Sequence, residues 1–210
     1  MDADTFSNFE VAQHAAKNLI SVKVDVDKKE GSDLFSTFNG TVMPTLVFLD
    51  GSGNEIDRII GYLPPEQYQA RVAEIEGNVN TLGACLQKYE NGERTSRLLF
   101  TIAQKYTDRN ESNAAKKYYT ELLKSFPNVD ENMASTARFE LAYEEFKNGN
   151  IDPFNEFVNN FSTSHMAQQA LSLMARFYRG SNNVVGELGV YARMLELYPN
   201  DPRTLNGYAW

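Results

Sequence analysis

The chain has 210 residues, 42% of them hydrophobic and 23% charged, a balance that suits one large or two small globular domains and excludes fibrous and disordered classes. No run approaches the roughly 18 uninterrupted apolar residues of a membrane span, and the opening Met1-Asp2-Ala3-Asp4 lacks the basic-then-apolar pattern of a secretory signal. One cysteine, Cys85, and two histidines, His14 and His165, exclude an internal disulfide, a dithiol pair and a cysteine-based zinc site among these residues, so neither metal nor cofactor is expected.

The net charge of -8 is unevenly placed: residues 1–77 carry 6 Lys/Arg against 13 Asp/Glu, whereas residues 78–210 carry 14 against 15. An acidic front segment repels phosphate backbones, so nucleic-acid binding is not expected, and the mixed charges of the rest read as a solvated helical surface.

In chain order, the front segment is expected to run helix, strand, helix, strand, strand, helix. Val22, Val24 and Val26 alternate with Lys23, Asp25 and Asp27, the period of a strand. Thr45-Leu46-Val47-Phe48-Leu49 is a continuous apolar run that fits a strand covered on both faces. Asp50-Gly51-Ser52-Gly53-Asn54 supplies turn residues, and Glu55–Ile60 returns as an antiparallel partner. Pro64-Pro65-Glu66 opens a helix whose buried stripe is Tyr68, Val72 and Ile75. After Gly77 no strand signal remains, and helices are expected at 79–90, 94–107, 112–125, 132–148, 151–161, 165–180, 184–198 and from 202 onward.

These paired helices repeat. Leu99, Ile102, Ala103, Tyr106, Ala115, Tyr119, Leu122 and Pro127 correspond, 72 residues later, to Leu171, Met174, Ala175, Tyr178, Glu187, Tyr191, Met194 and Pro199, and only Glu187 changes character. The shift is two periods of about 34 residues plus a small insertion. On these residues, segment 94–210 resembles tetratricopeptide (TPR) helical hairpins: small residues let helices approach, aromatics fill the gap to the next, and proline stops the second helix. The unit between, with Leu141, Ala142, Phe146, Phe154, Val158 and Phe161, is more degenerate. Asn200–Trp210 looks like the opening of a further repeat that stops in mid-helix.

The front segment resembles the thioredoxin-like fold of thiol:disulfide interchange proteins. The residues that carry the resemblance are Val22–Asp27, Met43–Asp50, Gly53 and Arg58-Ile59-Ile60-Gly61-Tyr62. Met43-Pro44-Thr45 matches the cis-proline loop, which in that family faces the redox cysteines and pairs its backbone with an extended substrate. The resemblance therefore implies that Met43, Pro44 and Thr45 bind a protein or peptide. It also implies an extracytoplasmic, periplasmic setting for the intact protein of a bacterium.

The family's CxxC motif would lie immediately before Met1, so the two redox thiols and the strand that precedes them have no counterpart here. Thiol–disulfide exchange needs an accessible thiolate and a second, resolving thiol. No catalytic residue is expected in the chain as given, and Cys85 lies outside the thioredoxin-like segment. The absent strand would be central, between Val22–Val26 and Thr45–Leu49. Those two strands could instead pair directly in parallel through the helix between them. Segment 1–77 alone is expected to be marginally stable or prone to aggregate.

Other candidates have plainer readings beside the sharp ones. Cys85 could be a monothiol site, but Leu82, Leu86 and Tyr89 surround it at helical spacing, which favours a buried thiol. Asp25 and Asp27 could act as an acid–base pair, but solvent-facing acids at a strand end are ordinary. Asp50, Ser52 and Asn54 imitate a calcium loop, yet its sixth position is Glu55 and its twelfth Gly61. His14 on a helix and His165 in an interhelical loop have no nucleophile or acid beside them in a known motif.

The expected architecture is thus α/β plus all-α: an N-terminally truncated thioredoxin-like domain over 1–77, then a C-terminally truncated TPR-like helical domain over 78–210. The expected role is that of a thiol:disulfide oxidoreductase relative with protein-interaction repeats. The alternative is a non-catalytic binding or scaffold module.

Overall fold

In a computed structural model of the chain, residues 1–202 are described. They form α1 (Phe9–Asn18), α2 (Lys29–Thr37), β1 (Thr45–Leu49), β2 (Glu55–Ile60) and α3 (Pro65–Glu76), then α4 (Leu82–Glu90), α5 (Ser96–Asp108), α6 (Ser112–Ser125), α7 (Glu131–Lys147), α8 (Asp152–Asn160), α9 (His165–Gly180) and α10 (Val184–Leu197). The architecture is a small sheet among helices followed by a mostly helical region, as the periodicity requires. The further repeat expected at Asn200–Trp210 lies, beyond Pro202, outside the described residues.

Helix boundaries follow local chemistry. The side chain of Asn8 accepts from the backbone N–H of Glu10 and Val11 at the start of α1, and Thr81, Thr95, Asp130, Ser164 and Asn183 cap α4, α5, α7, α9 and α10 in the same way. Each such cap is worth about 1 kcal/mol because it satisfies donors that no helical carbonyl reaches. Pro65 and Pro153 sit in the first turns of α3 and α8, where a missing N–H costs nothing.

Among the described residues the sheet has two strands. β1 pairs antiparallel with β2, Leu46 opposite Ile59 and Phe48 opposite Asp57, with a register irregularity between Phe48 and Leu49. At the turn, the Asp50 carboxylate accepts from the N–H groups of Ser52 (2.8 Å) and Asn54 (2.9 Å). The carboxylate is thereby held below its usual range by the backbone bond from Asn54 first. Asp50, Ser52 and Asn54 form a hairpin turn.

Val22–Val26 is not a strand. Residues 19–25 run without regular secondary structure, and among the described residues no backbone-to-backbone hydrogen bond involves residues 20–24. Nor does this segment pair with β1, whose sheet partner among the described residues is β2. The alternation there is real, but a strand exists only when a neighbour accepts its backbone groups. The N–H of Asp27 bonds to the Asp25 side chain (3.1 Å), so the two acids belong to the turn into α2.

The described chain divides into two compact units, Met1–Tyr118 and a second beginning at Tyr119. In the first, Val11, Ile59, Tyr68, Val72 and Ile75 form a buried cluster flanked by Leu46, Phe48, Ile56 and Leu63. Tyr68, Val72 and Ile75 are the stripe expected on α3. The change of periodicity at Gly77 falls within this unit, because α4 packs on β2 and α5 packs on α4.

In the second unit α7 packs on α8, α8 on α9 and α9 on α10, around Phe139, Phe154, Val158, Leu171 and Met174. Of the residues related by the 72-residue shift, Leu99 with Leu171, Ile102 with Met174, Ala103 with Ala175 and Leu122 with Met194 are core at both positions, whereas Tyr119 is buried and Tyr191 only partly so.

Candidate functional site

The loop before β1 and the first residue of that strand carry the expected binding residues Met43, Pro44 and Thr45. The Met43–Pro44 peptide is cis. Gly61, at φ +80°, turns back at the end of β2 and donates its N–H to the Pro44 carbonyl (2.8 Å). A side chain at Gly61 would strain that turn. The Thr45 hydroxyl donates to the Val42 carbonyl (2.6 Å) and holds the loop from its other end. Met43 is 64% exposed, so the loop presents an apolar side chain to solvent from a backbone fixed at two points. Beside Gly61, the Tyr62 hydroxyl donates to the Asp4 carboxylate, and the Thr5 hydroxyl donates to the Leu63 carbonyl (2.6 Å).

Cys85 does not join this loop. It is a buried free thiol on α4, and burial pushes its pKa up, with Lys105 and Lys88 pulling more weakly the other way. A thiol that is both buried and protonated is a poor nucleophile. In the folded chain Cys85 should react with an aromatic disulfide reagent at least about tenfold more slowly than in urea, as followed by the absorbance of the released thiolate. Equal rates would show an accessible thiol.

The largest concentration of buried charge lies elsewhere, and the strand reading of Glu55–Ile60 did not anticipate it. Asp57 is 1% exposed. Its Oδ2 accepts from Lys105 Nζ of α5 (2.5 Å) and from Arg71 of α3, and its Oδ1 accepts from the Arg58 N–H (3.0 Å) and Arg109 (3.3 Å). Glu55 accepts from Arg58 Nε (2.8 Å) and pairs with Arg109 (2.9 Å). Arg58 also donates to the carbonyls of Asp108 and Phe38, each at 2.9 Å. Burial alone would raise the Asp57 carboxyl, but the Lys105 ammonium, the Arg71 guanidinium and the Arg58 N–H together hold it below its usual range.

Both Asp57 oxygens are occupied by donors, so this carboxylate anchors β2 to α3 and α5 and is not poised as a proton acceptor at neutral pH. The only sequence signal was a pair of opposite charges, Asp57-Arg58, inside an isoleucine-rich strand. The cations that complete the network lie 14 to 52 residues away.

The histidines have structural surroundings. His14 Nε2 meets Glu76 Oε1 (2.9 Å) and its Nδ1 meets the Asn18 amide (3.2 Å), which ties α1 to the end of α3. His165 opens α9, the helix expected over 165–180, immediately after the Ser164 cap, and so does not lie in the loop before it. Among the described residues no group of three or more His, Cys, Asp or Glu side chains is placed to hold a metal ion. No described helix is long and apolar enough to cross a membrane.

A family model described as a thioredoxin-like domain matches residues 2–76, the segment that carries β1, β2, α1–α3 and the Pro44 loop. No curated protein and no solved structure matches the chain.

Proposed function

We propose that the chain is a thioredoxin-like relative of thiol:disulfide oxidoreductases whose role within these residues is to hold polypeptide. Residues 1–77 constitute the thioredoxin-like domain and residues 78–210 a TPR-like array for protein partners. The observation that carries this reading is the Met43-Pro44-Thr45 loop, exposed at Met43 and fixed by Gly61 and Val42. A rigid exposed backbone turn can pair with an extended chain at low entropic cost. The shared burial of Leu99 with Leu171 and of Ala103 with Ala175 supports the repeat assignment.

A second reading, a non-catalytic scaffold in which the thioredoxin-like part supports the helices, draws on the Asp57 network, which fastens β2 to α5. Two measurements test both. In an insulin-reduction assay the chain is expected to show no turnover above the dithiothreitol background, and turnover that survives Cys85→Ser would refute both readings. Met43→Asp, at an exposed loop position, is expected to weaken binding of an unfolded, reduced polypeptide at least about fivefold. Binding unchanged by Met43→Asp would leave the scaffold and sink the loop reading.

A further inference from the structure

Arg58 holds more than its own strand. Its side chain is 2% exposed, and the two oxygens of Glu55 accept from its Nε (2.8 Å) and its Nη2. A guanidinium bound through two oxygens has one orientation, because its N–H groups form a rigid planar fork. In that orientation Nη1 donates to the carbonyl of Asp108 and Nη2 to that of Phe38, each at 2.9 Å. Phe38 is the C-cap of α2 and Asp108 the last residue of α5. The last carbonyls of a helix lack an intrahelical donor and lie at its negative end. Among the described residues no backbone N–H donates to either of these two. One buried cation therefore satisfies two helix ends that come from distant parts of the sequence.

Phe38 is also where the chain leaves α2 for the loop before β1. Asn39 turns through the left-handed region at φ +51°, and Gly40 donates its N–H to the Phe35 carbonyl (2.8 Å). A side chain at Gly40 would overlap the Phe35 ring, so the turn needs a residue without one. Residues 41–44 are then exposed, and among the described residues the N–H groups of Thr41, Val42 and Met43 have no backbone partner. This stretch is fastened at both ends: Arg58 holds Phe38 before it, and the Gly61 N–H holds Pro44 after it. Both anchors belong to Arg58-Ile59-Ile60-Gly61, so β2 and the residue that follows it set their separation.

We infer that Arg58 is the positioning residue of the Met43-Pro44-Thr45 loop, and that through it the loop shares its support with α5. The inference rests on the loop reading above and adds what sets the loop's place. The less of the loop that must still be ordered when a polypeptide binds, the tighter the binding. Lysine at this position would keep the charge and an ion pair with Glu55. A single ammonium, however, cannot bind Glu55 through two oxygens and reach both carbonyls.

The test is binding of reduced, alkylated lactalbumin, as the unfolded polypeptide, to the full chain and its variants, together with residue-resolved amide exchange. Arg58→Lys is expected to weaken binding about fivefold or more. It should speed exchange at Gly40 by a like factor, while the amide of Ile59, opposite Leu46 in the sheet, keeps its protection. Lys105→Met loosens the same buried cluster without touching either carbonyl, and should bind as the wild type does. Binding unchanged in Arg58→Lys but weakened in Met43→Asp would overturn the inference and leave the loop reading standing. Binding unchanged in both would sink the loop reading, and the inference with it. An equal loss in Arg58→Lys and Lys105→Met would also overturn it, because general loosening of the cluster would then suffice. If circular dichroism shows Arg58→Lys unfolded, Glu55→Gln takes its place, since it keeps the guanidinium but removes the charged group that orients it. A loss of about twofold or more is expected there, and wild-type binding would overturn the inference.

Discussion

Replacing Asp57 by alanine is expected to destabilise the chain by about 3–5 kcal/mol, the cost of leaving buried charges without their partner. Asp57, Glu55 and Glu74 pair with Arg58, Arg71, Lys105 and Arg109, and Asp57 is the most buried of the three acids. Removing the Asp57 carboxylate leaves the buried Lys105 ammonium without its ion-pair partner, while Arg71 keeps Glu74. Lys105→Met removes a cation from the richer side and keeps the stem's packing, so it should cost less. Urea denaturation followed by far-ultraviolet circular dichroism measures both, and a loss below about 1 kcal/mol for Asp57→Ala would show that the network contributes little.

The pH dependence follows from the direction of the Asp57 shift. Its folded pKa lies below the ordinary value because the surrounding cations outweigh the burial that would raise it. Folding therefore gains from the ionised form. That gain is complete above the unfolded value of about 3.9 and is lost as pH falls through the folded value. Asp57→Asn has no such proton to bind, so the stability gap between wild type and this variant should be constant near neutrality and narrow as pH drops below about 4. A gap that stays constant into that acid range would mean that Asp57 is not held ionised by its neighbours.

What could be read in the sequence was whatever depends on near neighbours. The α3 stripe of Tyr68, Val72 and Ile75, the hairpin turn at Asp50–Asn54 and the helices expected between residues 79 and 198 each rest on spacing, capping residues or proline within one segment. They form where expected, within a few residues at each end. Val22–Val26 shows the limit. Its alternation is that of a strand, but strand formation is decided by a second segment that the local pattern cannot supply. The Asp57 network is the other case. Lys105 in the last turn of α5 and Arg109 at its C-cap are four residues apart, a spacing equally suited to solvent, and nothing near them in the chain points to a carboxylate on β2. His165 is a boundary case: Ser164 reads as loop composition and as a helix cap with equal ease, and the helix expected from 165 begins at this histidine.

In the second unit the largest loss is expected at Phe154. This side chain is 0% exposed and its ring lies 5.4 Å from that of Phe139 and 4.9 Å from that of Phe146. Phe154→Ala should cost about 3–5 kcal/mol, the transfer of a buried ring plus the cavity it leaves. Against a total stability of about 5–15 kcal/mol this is a large fraction. α8 is nine residues long, so it has little helical stability of its own and depends on Phe154, Phe157 and Val158 for its place. The loss should therefore appear first in the exchange protection of α8, ahead of α9 and α10. Phe154→Leu keeps most of the volume and should cost less, and Val185→Ala on the exposed side of α10 should stay within about 0.5 kcal/mol of wild type. If Phe154→Ala melted like Val185→Ala, the aromatic cluster between α7 and α8 could not be what holds this unit together.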